Sequence, residues 1–467
     1  MLITFFMDTC SAVIISHSSK SLLSPSDGIV RYNNLMNKLF PLAASCSLLI
    51  SGCSAASVHS EPEALSLMTA TDLHMLAPEY MGGISFQNML AKSDMKLTEY
   101  ADVLTDALIE QAEKDRPDAL ILTGDLTFNG EKKSHMLLAE KLKQLADQGI
   151  RVLVLPGNHD IENPNAADWS GDEAVKADGI TPDEFRSIYQ NDGYADAIYT
   201  DPSSLSYVSA LSETCWILML DSAEYEKNSM VSYSGGKIRE ETIEWLKPIL
   251  QEAEESGITV LSAMHHSLTD LVPSSDAYQI ENADEVQKLY AKYHVKVNFC
   301  GHTHFQACRS IEVSGIEETD LMTGSLDVYQ HLYGTVKLTT GESLEYHAEP
   351  LDMKAYAEEH QLNDPFFEDF DANSSAVFRT RVVQRLTDLF ADTGLDEETQ
   401  KKLLDLFGEE GEYLFSGQMG TFRSMFEGSE DEALVKSLPG KDQALFLDNL
   451  NEYPDNMRDV TISLKQQ

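Results

Sequence analysis

The sequence predicts an α/β domain followed by an all-helical region, on three observations. Between residues 64 and 350, short apolar runs alternate with polar or helix-patterned stretches, the order expected of a sheet with crossover helices. Most of those runs are followed within a residue or two by Gly, Asp or His, so functional loops are expected at the carboxyl ends of the strands. From 352 to 467 the strand signals stop. There Phe378, Val382, Leu386, Leu389 and Phe390 recur at helical spacing, as do Leu403, Leu404 and Phe407 and later Leu445, Leu447 and Leu450.

In chain order, residues 36–53 come first as a signal peptide. Lys38 precedes a run of apolar and small residues about a dozen long, too short to cross a bilayer core of about 30 Å as a helix. The run ends in Ile50-Ser51-Gly52-Cys53, which resembles a bacterial lipobox. That resemblance implies a lipidated Cys53 as the mature amino terminus, with residues 54–63 as a tether. The plainer alternative is a buried helix ahead of a cysteine. On the lipoprotein reading, residues 1–35 are an upstream extension and Met36 is the initiator. The protein is then expected on the extracytoplasmic face of a bacterial cell membrane, held only by its lipid anchor.

The expected strands are Leu65–Ala70, Ala119–Thr123, Val152–Leu155, Trp216–Leu220, Thr259–Met264 and Val295–Cys300, each short enough to be buried. Helical patterns cover Leu97–Ala112 and Lys133–Asp147. Residues 161–206 form a long insertion after the third strand, expected to serve as a lid or substrate wall. A helix should start inside it at Thr181-Pro182, with Thr181 as cap and Pro at the first helical position. Its aromatics, Phe185, Tyr189, Tyr194 and Tyr199, offer either a platform for a nucleobase or the insertion's own small core. Of the six cysteines, processing would remove Cys10 and Cys46 and lipidate Cys53; the three left, Cys215, Cys300 and Cys308, are too few for a disulfide framework and not spaced as a zinc ribbon. Cys215 and Cys300 read as core residues.

Charge narrows the partners. With 34 basic and 77 acidic side chains the net charge is −43, which leaves no electrostatic footprint for nucleic-acid polymers or anionic lipid surfaces. An anionic substrate must therefore be held by a local feature. Five strand-end blocks supply one: Asp72-Leu73-His74, Gly124-Asp125, Gly157-Asn158-His159-Asp160, His265-His266, and Gly301-His302-Thr303-His304. Each is weak alone. Together they offer imidazole, carboxylate and amide donors suited to Zn, Mn or Fe. If the backbone is extended, Asp72 and His74 point to one side, as do His302 and His304, so each pair can grip a common ion.

The blocks resemble the signature D-x-H, G-D, G-N-H-[DE], H and G-H-x-H of the calcineurin-like metallophosphoesterase superfamily, in order, over residues 65–350. The resemblance implies a four-layer sandwich of two mixed β-sheets flanked by helices over residues 64–350. It also implies two divalent metal ions, one held by Asp72, His74 and His304, the other by Asn158, His265 and His302, with Asp125 bridging. His266 can replace His265, although the family pattern favours the first of the pair. His159 matches the histidine that contacts the phosphate and can protonate the leaving group.

Departures narrow the branch. In Gly124-Asp125-Leu126-Thr127-Phe128-Asn129-Gly130, Phe128 and Asn129 replace the Asp and Arg of the protein-phosphatase motif. Phe128 also stands where purple acid phosphatases carry a ligating Tyr. What remains is similar to bacterial cyclic-nucleotide and glycerophosphodiester phosphodiesterases. The expected function is therefore hydrolysis of small extracellular phosphodiesters, with phosphomonoester hydrolysis as the alternative. A reading of another class is a surface lipoprotein scaffold whose helical tail, residues 352–467, binds a partner. The plainer role for that tail is to cover apolar surface on the catalytic domain.

Overall fold

The computed structural model describes residues 62–271, 278–390 and 395–465. The upstream extension, the signal segment with Cys53, and the tether up to residue 61 lie outside the described residues. Among the described residues no helix is long and apolar enough to cross a membrane.

Two parallel three-strand units form the frame. In the first, β1 (Ala64–Ala70), β2 (Ala119–Leu122) and β3 (Arg151–Val154) lie parallel, joined through helices Ala101–Asp115 and Lys132–Asp147. A small hairpin, β4 (Ala167–Asp168) with β5 (Val175–Lys176), and the two-residue β6 (Tyr199–Thr200) lie in the insertion. After β7 (Tyr207–Ala210) comes the second unit: β8 (Cys215–Leu220), β9 (Thr259–Met264) and β10 (Val297–Cys300), joined through helices Glu240–Ser256 and Ala283–Tyr293. Parallel strands need such crossovers, and the crossovers bring all the carboxyl ends to one edge. The hairpins β11 (Ala307–Val313)–β12 (Ile316–Met322) and β13 (Leu332–Thr339)–β14 (Ser343–Pro350) complete the two sheets, with β15 (Asp459–Ser463). The orders are β15-β14-β13-β1-β2-β3 and β11-β12-β10-β9-β8-β7-β6.

Alternation along the strands sets the layers. Ile217 and Met219 of β8, with Leu261 and Ala263 of β9, enter the core shared with Leu67 and Ile121 of the first sheet. Leu218, Leu220, Val260 and Met264 point the other way, onto Ile243, Leu246 and Leu250 of one helix and Val286 and Tyr290 of the next. Both faces of these strands are buried, so their sequences read as unbroken apolar runs. With helices Ala101–Asp115 and Lys132–Asp147 packed into the first core, the result is the expected sandwich of sheets flanked by helices.

The helical region runs from Met353 to Glu452, and its Phe378, Val382, Phe407, Phe415, Met419 and Phe422 share one core with Cys300, Phe305, Ala307 and Met322 of the second sheet. Afterwards the chain returns as β15 and pairs antiparallel with β14, a strand absent from the sequence reading. Only Val460 and Ile462 are apolar in it, and only Ile462 is buried, so it leaves almost no pattern. Strands β11 to β14 were likewise unread because polar residues alternate along them or, in Glu317-Glu318-Thr319-Asp320, dominate. The helix expected from Leu97 starts at Ala101: Leu97 pairs its N–H with the Asp327 carbonyl at 2.7 Å, and residues 98–100 form a turn before the helix.

Inside the insertion the Thr181 cap forms as expected, in a capping box with Glu184. Phe185, Tyr189 and Tyr194 are core: their exposures are 0, 0 and 7%. The Tyr189 hydroxyl pairs with His135 Nδ1 at 2.9 Å, and that of Tyr194 donates to the Leu205 carbonyl at 3.2 Å. Tyr199 binds Glu252. Phe185, Tyr189 and Tyr194 are thus closed to a base, while Tyr199 is half-buried, its ring 5.8 Å from that of Trp216.

Candidate metal centre

The carboxyl ends of β1, β2, β3, β9 and β10 meet at one edge, and the seven expected ligands converge there. Asp72 and His74 follow β1, Asp125 follows β2, Asn158 follows β3, His265 follows β9, and His302 and His304 follow β10. Asp72, His74, Asp125 and His304 form one buried group able to hold a cation, and Asp125, His265 and His302 form a second, with Asp125 common to both.

The convergence does not come from extended backbone. Asp72, His74, Asp125, His302 and His304 have φ of 49, 42, 48, 78 and 63°, in the left-handed region that non-glycine residues rarely enter. The strands have already ended at Ala70, Leu122 and Cys300, and tight loops turn each donor inward. This corrects the alternation argument for the two D-x-H-type pairs. Hydrogen bonds across the strand ends hold the loops: Asp72 N–H to the Gly124 carbonyl and His74 N–H to that of Asp125, both at 3.0 Å. Glycines permit the close approach. A Cβ on Gly157 would lie 2.2 Å from Asp125 Oδ1, and one on Gly301 would lie 1.9 Å from Thr71 Oγ1.

Asp72, Asp125 and His265 each have one atom tied back and one turned inward. Asp72 Oδ2 accepts from the Thr71 hydroxyl at 2.7 Å and the His302 N–H at 2.9 Å, whereas Oδ1 has no hydrogen-bond partner among the described residues. Asp125 Oδ1 accepts from the His159 N–H at 2.8 Å, while Oδ2 lies 3.9 Å from His74 Nε2 and 3.4 Å from His265 Nε2. His265 Nδ1 donates to the Thr123 carbonyl at 2.8 Å, so its Nε2 faces the site, 3.2 Å from Asn158 Oδ1. Ser232 steadies Asn158, donating to its carbonyl at 2.6 Å. His266 is occupied elsewhere, through Ser222 at Nδ1 (2.9 Å) and the Ser234 carbonyl at Nε2 (3.2 Å).

This donor set fits two divalent cations. His74 Nε2 and His304 Nε2 point at each other across 3.1 Å, with Asp72 Oδ1 3.8 and 3.5 Å away, and His302 Nε2 is buried without a partner among the described residues. Two Nε2 atoms so close share either a hydrogen or a cation, and only a cation also engages the unpartnered Asp72 Oδ1. Burial holds His74 and His302 well below the ordinary histidine range, in the neutral form that metals take. Burial also opposes the charge on His265, but the Asp125 carboxylate outweighs it and lifts the imidazole to about 9. Burial pushes Asp125 up, yet His265, His159 and His74 hold it well below the usual carboxylate range.

His159 sits beside the first group, its ring 5.1 Å from that of His74 and edge-on to it. Its Nδ1 donates to the Phe128 carbonyl at 2.9 Å and lies 3.1 Å from Asn129 Oδ1. Asn129, noted in the sequence only as a replacement for arginine, thus orients this histidine. The Phe128 ring packs away from the site, against the cluster of Leu76, Tyr80 and Phe86. Asp160, present in its block without an assigned role, is a buried brace: it accepts from the N–H groups of Gly157, Leu126 and Thr127 at 2.9, 3.1 and 3.0 Å. Burial, and then the Asp125 charge, raise it to about 7. Thr71, Ser222 and Ser232 carried no sequence signal, since lone hydroxyls are common everywhere.

A two-sheet sandwich with a buried Asp/His cluster at its strand ends defines a metal-dependent phosphoesterase. The chain belongs to the calcineurin-like phosphoesterase family, whose sequence model matches residues 67–306, more than half of the chain. Among solved structures it is similar to a dimetal phosphatase from Danio rerio, at 12% identity and a TM-score of 0.44, over 61% of this chain and 96% of that one. It is also similar to the purple acid phosphatase PPD1 from yellow lupin (Lupinus luteus) seeds, at 9% identity and a TM-score of 0.40, over 62% of this chain and 52% of that one. No curated protein matches the chain.

Proposed function

We propose that this phosphoesterase is a dimetal phosphodiesterase of small extracytoplasmic phosphodiesters, cyclic nucleotides among them, anchored through a lipid on Cys53. The observation that carries the substrate class is the neutral support of His159, where the Phe128 carbonyl and Asn129 amide stand in place of a carboxylate and a guanidinium. A diester carries one negative charge and a monoester up to two, so a site without the arginine suits the diester.

Asp72, His74 and His304 would hold one ion, Asn158, His265 and His302 the other, with Asp125 between them. Two such cations act as Lewis acids on phosphoryl oxygens and make a water nucleophilic near neutral pH. The chain's own residues orient and protonate. With Nδ1 bound to the Phe128 carbonyl, His159 keeps Nε2 for the substrate. Burial depresses its pKa, so it is neutral at rest; a proton taken from solvent as the substrate's negative charge arrives would then pass to the leaving oxygen.

The test is the ratio of rates on bis-p-nitrophenyl phosphate and p-nitrophenyl phosphate with metal-loaded protein. A ratio above one is expected. Faster cleavage of the monoester would overturn the diester preference, and no cleavage of either would remove the enzymatic reading. Labelling with palmitate in a bacterial host tests Cys53, and its loss in Cys53→Ala is the expected result.

A further inference from the structure

Asn163 lies in the insertion and in none of the five motif blocks, yet it is only 4% exposed and closes against the loop that carries His159. Two main-chain groups fix which way its amide faces. Oδ1 accepts from the Asn165 N–H at 2.9 Å, and Nδ2 donates to the His159 carbonyl at 2.9 Å. An N–H only donates and a carbonyl only accepts, so this amide has one orientation. The same Nδ2 reaches Asn129 at 3.3 Å, and a donor there requires the Asn129 oxygen. That oxygen lies 3.1 Å from His159 Nδ1, which must then carry the hydrogen, as the Phe128 carbonyl at 2.9 Å also requires. Asn129 is held in place from behind. Its N–H donates to Glu131 Oε2 at 2.9 Å, and the other oxygen of Glu131 takes the Ala167 N–H at 3.4 Å. Hydrogen-bond direction thus passes from the backbone of the insertion, through two amides, to one nitrogen of His159.

We propose that Asn163 is a positioning residue for phosphoester cleavage: by fixing the Asn129 amide it commits His159 Nδ1 to donating inward and keeps Nε2 as the nitrogen that passes a proton to the leaving oxygen. The insertion then acts on the reaction through an orientation, without touching the substrate. Asn163 also closes its own turn, through the Asn165 N–H and the His159 carbonyl, and that alone is the plainer role. The two roles part at Asn129. In Asn163→Asp a carboxylate faces Asn129 and attracts its NH2 end, so Asn129 turns over. It then presents a donor to His159 Nδ1, which favours the hydrogen on Nε2. The inference rests on the part given to His159 under the phosphodiesterase reading, though the position of the ring hydrogen is read without turnover.

Nitrogen NMR of the zinc-loaded protein, with labelled histidine and at a pH where the ring is neutral, reads the hydrogen directly. The His159 signals, assigned by their loss in His159→Gln, should show it on Nδ1 in wild type and shifted toward Nε2 in Asn163→Asp. In that variant kcat for bis-p-nitrophenyl phosphate should fall about tenfold, the loss expected for one misdirected hydrogen bond, while two metals still bind. Since a carboxylate also repels the His159 carbonyl, a double-mutant cycle isolates the relay. With Asn129→Ala already present, Asn163→Asp should change kcat by less than about twofold. Full additivity of the two substitutions, or a wild-type ring with its hydrogen on Nε2, overturns the proposal. Wild-type protein that cleaves no phosphoester overturns the functional reading instead, while the ring hydrogen in wild type and Asn163→Asp still decides whether the relay operates.

Discussion

The sandwich and the helical region bury apolar surface in different ways. In the sandwich, successive residues of β8 and β9 enter two cores on opposite sides of one sheet. The strands are then fully enclosed, and polarity is pushed to their ends, where the metal donors cluster. In the helical region, Phe378, Val382, Phe415 and Phe422 form one apolar side that closes over Phe305 and Met322. It contributes none of the candidate ligands, but through Arg381 it holds the Lys96 carbonyl, next to the Leu97–Asp327 pairing. Catalytic chemistry and its mechanical support thus occupy separate stretches of chain.

Four measurements would break or sharpen that contrast. The largest effect is expected in the sandwich. Asp125→Asn should abolish turnover and lower metal content, read by elemental analysis of purified protein, because Asp125 alone belongs to both donor groups. Normal activity there would show the centre is misplaced. His159→Gln should lower kcat by about 10²–10⁴-fold while two metals still bind, since this side chain moves a proton through Nε2 and its Nδ1 is tied to Phe128 and Asn129.

The third effect belongs to the helical region. Phe415→Ala empties a site 1% exposed beside Phe305 and Phe378, and should cost about 3–5 kcal/mol in chemical denaturation. If the region only covers surface, Mn²⁺ affinity at low denaturant stays at the wild-type value. If it also braces the site, through Arg381 and the Leu97–Asp327 pairing, Mn²⁺ affinity falls as well. A cost below about 1 kcal/mol would mean that the two regions do not share a core.

The smallest effect concerns pH. Burial, and then the charge of Asp320, lift Glu318 from 4.5 to about 8. Below 4.5 the group is protonated both folded and unfolded. As pH rises further, the unfolded chain releases its proton while the folded protein keeps it until about 8, so stability present at low pH is lost across that window. Glu318→Gln should flatten the fall in Tm between pH 5 and pH 8.5. An equally steep fall in the variant would assign the trend to other buried carboxyls, such as Glu131 and Asp192, each raised to about 7 by burial.

Much of the sandwich was legible because strands buried on both faces print as short apolar runs, and because chemistry-bearing residues follow them directly. Trp216–Leu220 and Thr259–Met264 nearly coincide with β8 and β9. The half-exposed strands β11 to β15 were not legible, since edge and one-sided strands carry few apolar residues. The candidate metal donors were legible as a set of residue types that the fold brings together, yet the geometry that unites them was not. Alternation suggested extended pairs, whereas five of the seven donors lie in left-handed turns held by neighbouring loops.

The sequence by itself therefore determined the α/β class, the helical region, the family and the residues able to hold metal, because composition and spacing along a strand are local properties. Only the tertiary structure decided that His265 and not His266 faces the site, that Asn129 orients His159, and that Phe185, Tyr189 and Tyr194 of the insertion are core. It alone also brought Ser325 onto the carbonyls of Asp72 and His304, across more than two hundred residues of chain in the case of Asp72. Those outcomes depend on which hydrogen-bond partner stands opposite each side chain, and partners so distant in sequence leave no trace in local pattern.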